Sequence, residues 1–231
     1  MDVTPPAPPP PVVFADEDIV VVDKPCGLPS VPARTPADPP DVGRLLAPAY
    51  GWLEAAHRLD RDTSGLLVLA RTRHTRAILG RAFEAGLVEK RYLAVVLGLP
   101  PAEQGEVCLP LAGDRDRPPR QRVDPILGRR ATTRWRRLAT STRAGERITL
   151  VELEPVTGRG HQLRVHLAWF GCPIVGDRLY GPGDGGPGPL ALHAAAIALP
   201  HPRDGRRLAL SSVPADVDPW RMLDAVRSWT V

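Results

Sequence analysis

A chain of 231 residues with 43% hydrophobic and 24% charged side chains has an ordinary globular balance and is long enough to bury a real core, which excludes a disordered tail or a mini-protein. No run of about 18 uncharged apolar residues is present to cross a bilayer, and Met1 to Pro11 holds Asp2 and six prolines rather than a basic stretch followed by an apolar one. The expected address is cytoplasmic, with no membrane partner.

Residues 1–11 read as a disordered, proline-rich tail, because proline removes backbone donors and fixes φ. Residues 12–231 read as one catalytic-size domain with no clean linker. Val12 to Val22 carries two β-branched runs around Ala15-Asp16-Glu17-Asp18, the pattern of a hairpin. Residues 25–43 are rich in proline and glycine and read as a surface loop. Gly65 to Ala70 is a short apolar run of strand length, and Arg73 to Ala85 places Ala77, Ile78, Leu79, Ala82 and Phe83 at helical spacing with Gly86 behind them.

Strands are expected at 91–97, 131–138 and 148–153, a helix at 161–170, a strand at 190–199, and a closing helix at 218–229 after an Asp-Pro start. Many strands with a few helices, not strictly alternating, predict an α+β fold: a mixed, mostly antiparallel β-sheet core with flanking helices.

Cys26, Cys108 and Cys172 are odd in number and widely spaced, so they read as packing residues. The net charge of +4 is unevenly placed. Between Asp114 and Arg137 stand nine arginines (115, 117, 120, 122, 129, 130, 134, 136, 137) and three aspartates, a local excess larger than that of the whole chain. Such a stretch is either an electrostatic footprint for a polyanion or a solvated face in an arginine-rich chain.

Three segments put charge against apolar elements: His57-Arg58-Leu59-Asp60-Arg61-Asp62-Thr63-Ser64-Gly65, Glu89-Lys90-Arg91-Tyr92, and Thr157-Gly158-Arg159-Gly160-His161-Gln162-Leu163-Arg164-Val165-His166. If Asp60 and Arg164 meet, a bidentate carboxylate–guanidinium pair would hold Asp60 ionised and oriented, as a nucleophile requires. Taken alone, Asp60 reads more readily as a turn or capping residue than as a nucleophile, and Tyr92 more readily as core. His161 and His166, five apart, do not share a helix face and have no cysteine or H-E-x-x-H partner, so no metal is expected. Gly181 to Gly188 lacks the order of a phosphate loop and reads as a flexible loop.

The succession V-V-V-D-K-P-C-G-L-P-S-V-P at 20–32, H-R-L-D-R-D-T-S-G-L-L at 57–67, K-R-Y at 90–92, G-R-G-H-Q-L-R-V-H at 158–166 and G-C-P-I-V-G-D-R-L-Y-G at 171–181 resembles the RluA-type RNA pseudouridine synthases. The resemblance spans roughly residues 12–215. The stretch at 110–123 is most similar to the RluA branch, which modifies a large-subunit rRNA hairpin loop and a tRNA anticodon-loop uridine.

The resemblance implies Asp60 as the catalytic aspartate, Tyr92 as the tyrosine against the flipped uracil, and Arg164 as the partner of the aspartate. It implies Arg58 as the arginine that enters the RNA stack. Arg115, Arg117, Arg120, Arg122, Arg159 and His161 are the expected RNA-binding residues. The family's S4-like domain is not expected ahead of residue 12, which leaves substrate choice to the catalytic domain.

Converting uridine to pseudouridine breaks N1–C1′ and joins C5 to C1′ with no redox change, so no cofactor and no metal is expected. The carboxylate either adds to C1′ in the manner of a retaining glycosidase or takes a C2′ proton. The base must first be turned out of its stack, at a cost least in a loop. The expected partner is structured RNA, rRNA and/or tRNA, and nothing demands more than a monomer. Two other readings remain at this point: a non-catalytic RNA-binding module using the same basic surface, and a nucleoside or glycoside hydrolase.

Overall fold

The structure, a computed structural model, describes residues 8–32, 39–183, 188–222, 224–226 and 228–229. The expectations for the start of the tail (1–7), part of the first loop (33–38) and part of the glycine-rich loop (184–187) lie outside the described residues. The fold is α+β as expected, with a mixed, mostly antiparallel sheet and three α-helices among the described residues. The chain divides into two compact units, Met1–Val88 with Ala198–Leu210, and Glu89–Ile197 with Ser211–Val231. Among the described residues no helix is long and apolar enough to cross a membrane.

In the first unit, β1 (Val12–Ala15) and β2 (Ile19–Lys24) form the expected hairpin. Its turn is made by Asp16, whose Oδ1 accepts the N–H groups of Asp18 and Ile19 at 2.8 and 2.9 Å. The other oxygen lies 2.7 Å from Nε2 of His201. A short helix α1 (Val42–Tyr50) follows, started by Asp41, whose side chain caps Gly43 and Arg44. It was not apparent in the sequence because its nine residues are interrupted by Pro48 and preceded by a proline-rich loop.

Strand β3 (Glu54–Ala55) borders β4 (Ser64–Ala70), which pairs antiparallel with β2. Ile19–Val22 and Leu66–Ala70 are essentially without solvent exposure, which is why both runs read as unbroken apolar stretches. Helix α2 (Arg73–Glu84) is capped by Thr72 and ends at the left-handed Gly86, φ +70°, where an L side chain would be strained.

The second unit pairs β5 (Glu89–Leu97) with β10 (Glu146–Pro155), and β10 with β9 (Thr132–Arg143), which in turn pairs with the edge strand β6 (Gln104–Cys108); all three pairings are antiparallel. Between β6 and β9 the chain makes a separate hairpin, β7 (Leu111–Gly113) and β8 (Gln121–Val123). After β10 comes helix α3 (Gln162–Trp169). Leu93–Val96, Ile148, Leu150, Leu153, Leu163, Leu167 and Ile174 form its core. Leu111, Ala131 and Val165 make a smaller cluster that seats the β7–β8 hairpin on α3. Strand β11 (Leu192–Pro200) carries the chain from the second unit into the first, and β12 (Arg207–Ser211) pairs with it.

The closing helix expected at 218–229 is not formed among the described residues. Trp220–Met222 and Asp224–Val226 are single 3₁₀ turns. Asp218, expected to start the helix, gives its carboxylate to Arg143, whose Nε and Nη2 donate at 2.9 and 2.6 Å. Trp220 and Val226 are buried in the core and the Trp229 indole N–H donates to Glu152. Packing of the apolar side chains was legible, but the tertiary anchors override the helical period.

Candidate active site

In the first unit Asp60 sits on a loop whose backbone is held on both sides of it. Ser30 grips Leu59, its Oγ donating to the Leu59 carbonyl at 2.9 Å and accepting the Leu59 N–H at 3.2 Å. Beyond Asp60, the Arg61 carbonyl accepts from Lys24 Nζ at 2.9 Å and from the Gly27 N–H at 3.0 Å, while Arg61 Nε donates to the Gly27 carbonyl. His57 opens the loop with Nε2 accepting the Val68 N–H and its ring against Phe83. Thr63, buried, closes it by donating its N–H to the Asp60 carbonyl. Asp60 itself is half-buried and Arg58 is exposed. A carboxylate carried between two clamped residues is pre-oriented, the condition under which proximity lowers a barrier.

Lys24 is the clamp that sequence reading left without a role. It ends the buried run Ile19–Val22 and is itself fully buried, with Nζ donating to the carbonyls of Pro25, Leu28 and Arg61 at 3.0, 2.8 and 2.9 Å. Burial pulls its ammonium down from 10.5 to about 8, opposed by Cys26, Asp62 and Asp60. Between those values the unfolded chain binds the proton and the folded chain does not. The Lys24 contribution to stability therefore becomes more favourable as pH rises through that window.

Lys24→Met leaves the carbonyls of Pro25, Leu28 and Arg61 without this donor, of which the Leu28 carbonyl is bonded in a fully buried place. We expect a loss of about 1–3 kcal/mol at neutral pH, the cost of one buried group left unsatisfied. The variant should also lose the wild-type rise in stability between pH 8 and 10.5. Urea unfolding at neutral pH and across that window measures both.

In the second unit Arg164 projects from α3 and is buried, and its Nε and Nη2 donate to the two oxygens of Asp177 at 2.8 and 2.7 Å. Asp177 is fully buried, and its Oδ1 also accepts the N–H groups of Leu179 and Tyr180. Nε and Nη2 of the guanidinium are thus committed to Asp177, which fixes its plane. Tyr180 lies beneath that plane, its ring centroid 5.2 Å from the guanidinium carbon.

Tyr180 also joins two predicted RNA-binding residues, Arg120 and His161, to this shelf. Its hydroxyl accepts the N–H of Gln121, the first residue of β8, and lies 2.7 Å from Nδ1 of His161, while the Arg120 guanidinium covers its ring at 5.3 Å. His161 takes a left-handed backbone, φ 53°, at the start of α3. Gln162 holds this turn onto β9: its Oε1 accepts from Thr157 Oγ1 and Arg159 N, and its Nε2 donates to the Thr132 carbonyl and Thr133 Oγ1. His166 continues the chain of bonds, with Nδ1 at Thr133 Oγ1 and Nε2 donating to the Leu109 carbonyl; burial lowers its pKa, so it is a neutral packing histidine.

Tyr92 stands near the start of β5, opposite Leu153, half-buried against the main core. Arg159 Nε donates to the Arg130 carbonyl. On the β7–β8 hairpin, Arg117 pairs with Asp114 and Arg122 with Asp124, and Arg115 is exposed without a carboxylate partner among the described residues.

The arginine footprint is narrower than its sequence window. Arg134 pairs with Glu106 and Glu154, Arg136 with Glu152, and Arg137 with Glu103. These glutamates come from neighbouring strands, or in the case of Glu103 from just before one, so a count along 114–137 could not include them. The sheet face of β6, β9 and β10 is a ladder of ion pairs, and the arginines of this stretch outside such pairs, among the described residues, are Arg115 and Arg120 on the hairpin and Arg129 and Arg130 after it.

Residues 18–169 match the family model described as RNA pseudouridylate synthase. The chain is 38% identical over 203 residues to the dual-specificity RNA pseudouridine synthase RluA of Haemophilus influenzae, covering 87% of this chain and 91% of that one. It is 40% identical over 207 residues to the protein of the same name from Pasteurella multocida, with 88% and 93% covered. Among solved structures, human RNA pseudouridylate synthase domain containing 1 aligns with a TM-score of 0.78 and 26% identity, covering 97% of this chain and 90% of that one.

Proposed function

Since the chain belongs to the RNA pseudouridylate synthase family, we propose that Asp60 is the carboxylate with which it isomerises uridine to pseudouridine, and that its substrates are loop uridines of both ribosomal and transfer RNA. The observation that carries the assignment of Asp60 is the loop in which Leu59 and Arg61 are clamped while the side chain between them remains half-exposed. The dual specificity in the names of the Haemophilus and Pasteurella relatives supports the two RNA classes. Residues 12–231 act as one catalytic domain, as a cytoplasmic monomer.

The bond from N1 to C1′ breaks and one from C5 to C1′ forms. Asp60 acts at the ribose, on C1′ as a nucleophile or on C2′ as a base. Arg164, held in place by Asp177, is the positioning guanidinium of the reaction. The uridine must leave its stack, at a cost of about a few kcal/mol that is smallest in a loop; Arg58 fills the space it vacates and Tyr92 packs on the extruded ring. The reaction changes no oxidation state and needs neither metal nor organic cofactor. Arg115, Arg117, Arg120, Arg122, Arg159 and His161 engage the RNA backbone around the hairpin and the start of α3.

Release of tritium from 5-tritiated uridine in rRNA and tRNA transcripts tests the activity, because only rupture of the C5–H bond frees the label. Free uracil as the product would instead identify a hydrolase. The engagement of the RNA backbone has its own test in the salt dependence of binding, whose logarithmic slope falls by about 0.7–0.9 for each phosphate that is no longer neutralised. Arg115→Ala should lower that slope by about one, whereas Arg136→Ala, on the ion-paired face, should leave it unchanged. Equal effects of the two substitutions would remove the hairpin from the interface.

A further inference from the structure

The two most exposed large apolar side chains among the described residues are consecutive: Ile126 is 89% and Leu127 69% exposed. They lie between β8 and β9, in the middle of the arginine-rich stretch, and no role in the reaction accounts for them.

The turn that carries them is rigid. Asp124, buried, accepts the N–H groups of Ile126 and Leu127 on Oδ1 at 3.1 and 2.9 Å and the N–H of Gly128 on its carbonyl at 2.9 Å. Its own N–H donates to the Pro110 carbonyl, and Arg129 and Leu111 exchange both backbone hydrogen bonds. A Cβ at Gly128 would lie 2.2 Å from the Asp124 carbonyl oxygen and 2.8 Å from the Pro110 carbonyl carbon, so the closure of the turn requires glycine.

The base of the turn is thereby fixed to the β7–β8 hairpin, and the ordering of the tip is already complete before anything binds. On its shoulder stand Arg129 and Arg130, both exposed and neither in an ion pair among the described residues, with Arg130 close enough to Glu106 to help lower its pKa.

An isolated exposed leucine needs no explanation, but two apolar side chains held outward on a pinned turn, beside unneutralised arginines, do. The pair is far too small to be a protein interface, which takes roughly 20–30 residues a side. It matches the face of one nucleobase or the gap of one base step, the kind of site that leucine and isoleucine wedges occupy, and the arginines match the phosphates beside it.

We propose that Ile126 and Leu127 form an apolar tip that packs against an unstacked base of the substrate RNA outside the target uridine, with Arg129 and Arg130 on the flanking phosphates. The proposal rests on the reading of the chain as an RNA-modifying enzyme. It adds a contact that discriminates between RNA loops by whether a base is open to the tip.

The test uses a tRNA transcript on which the full-length wild type releases tritium. Because both side chains are exposed, Ile126→Ser/Leu127→Ser should retain the wild-type melting temperature. We expect it to weaken RNA affinity about tenfold, with the loss in KM rather than kcat and the slope of log K against log salt unchanged, since no charge is removed. Arg129→Ala/Arg130→Ala should lower that slope by about two. In Leu127→Trp, affinity should be kept and the indole fluorescence quenched on binding, as stacking on a base requires.

Wild-type affinity of the serine variant at every salt concentration would overturn the proposal. So would an effect confined to self-association in gel filtration, which would make the tip a protein contact. A wild type that releases no tritium from any transcript would instead overturn the underlying enzymatic reading, so the two failures are separately visible.

Discussion

Asp60→Asn is expected to reduce tritium release from labelled RNA by at least about 10⁴-fold, equivalent to roughly 5.5 kcal/mol of barrier, while RNA affinity stays within several-fold of wild type. The amide has the size of the carboxylate and can keep the loop as it is, because that loop is fastened through the backbone and side chains of other residues: Ser30 on Leu59, and Lys24 and Gly27 on Arg61. What it lacks is the negative charge needed to attack C1′ or take a proton from C2′. Binding relies on arginines elsewhere and on the extruded base, so it is spared. A parallel loss of affinity and rate would assign Asp60 to RNA binding.

A second large effect is expected at Asp177, which has no atom assigned to the substrate. Asp177→Asn leaves the buried Arg164 guanidinium facing a neutral amide in place of the carboxylate that receives its Nε and Nη2. Removing one member of a buried ion pair costs about 3–5 kcal/mol because the other charge is left uncompensated. Tritium release should also fall about 100-fold, the scale of loss that follows a displacement of roughly 1 Å in a positioned group.

The pair can be resolved by a double substitution. Asp177→Asn/Arg164→Met should regain much of the stability lost in Asp177→Asn, since no charge remains buried without its counterpart, yet stay inactive. Recovery of both stability and turnover would show that the pair serves folding alone.

These outcomes bear on how much the sequence revealed. The motif order around Asp60, Tyr92 and Arg164 made the family legible, and unbroken apolar runs revealed β2 and β4 because both strands are almost wholly buried. Helix α2 was legible from its period and its glycine stop.

Pairings set by the fold were not. Arg164 and Asp177 are thirteen residues apart, and nothing local marks Asp177, in Gly-Asp-Arg-Leu-Tyr, as the buried acceptor of a guanidinium. Lys24 reads as a polar strand end although three carbonyls surround its ammonium. The charge count over 114–137 overstated the basic surface because Glu106, Glu152 and Glu154 reach Arg134 and Arg136 across the sheet. The closing helix failed for the same reason, its Asp218 being drawn to Arg143.

The most direct test is a nucleoside digest of rRNA and tRNA transcripts after incubation with wild-type protein and with Asp60→Asn at equal RNA occupancy. Pseudouridine should accumulate with the wild type in one-to-one proportion to the tritium freed, with no uracil in solution, and be absent with the variant. Pseudouridine formation by Asp60→Asn at the wild-type rate, or free uracil with the wild type, would contradict the assignment of the isomerisation to this carboxylate.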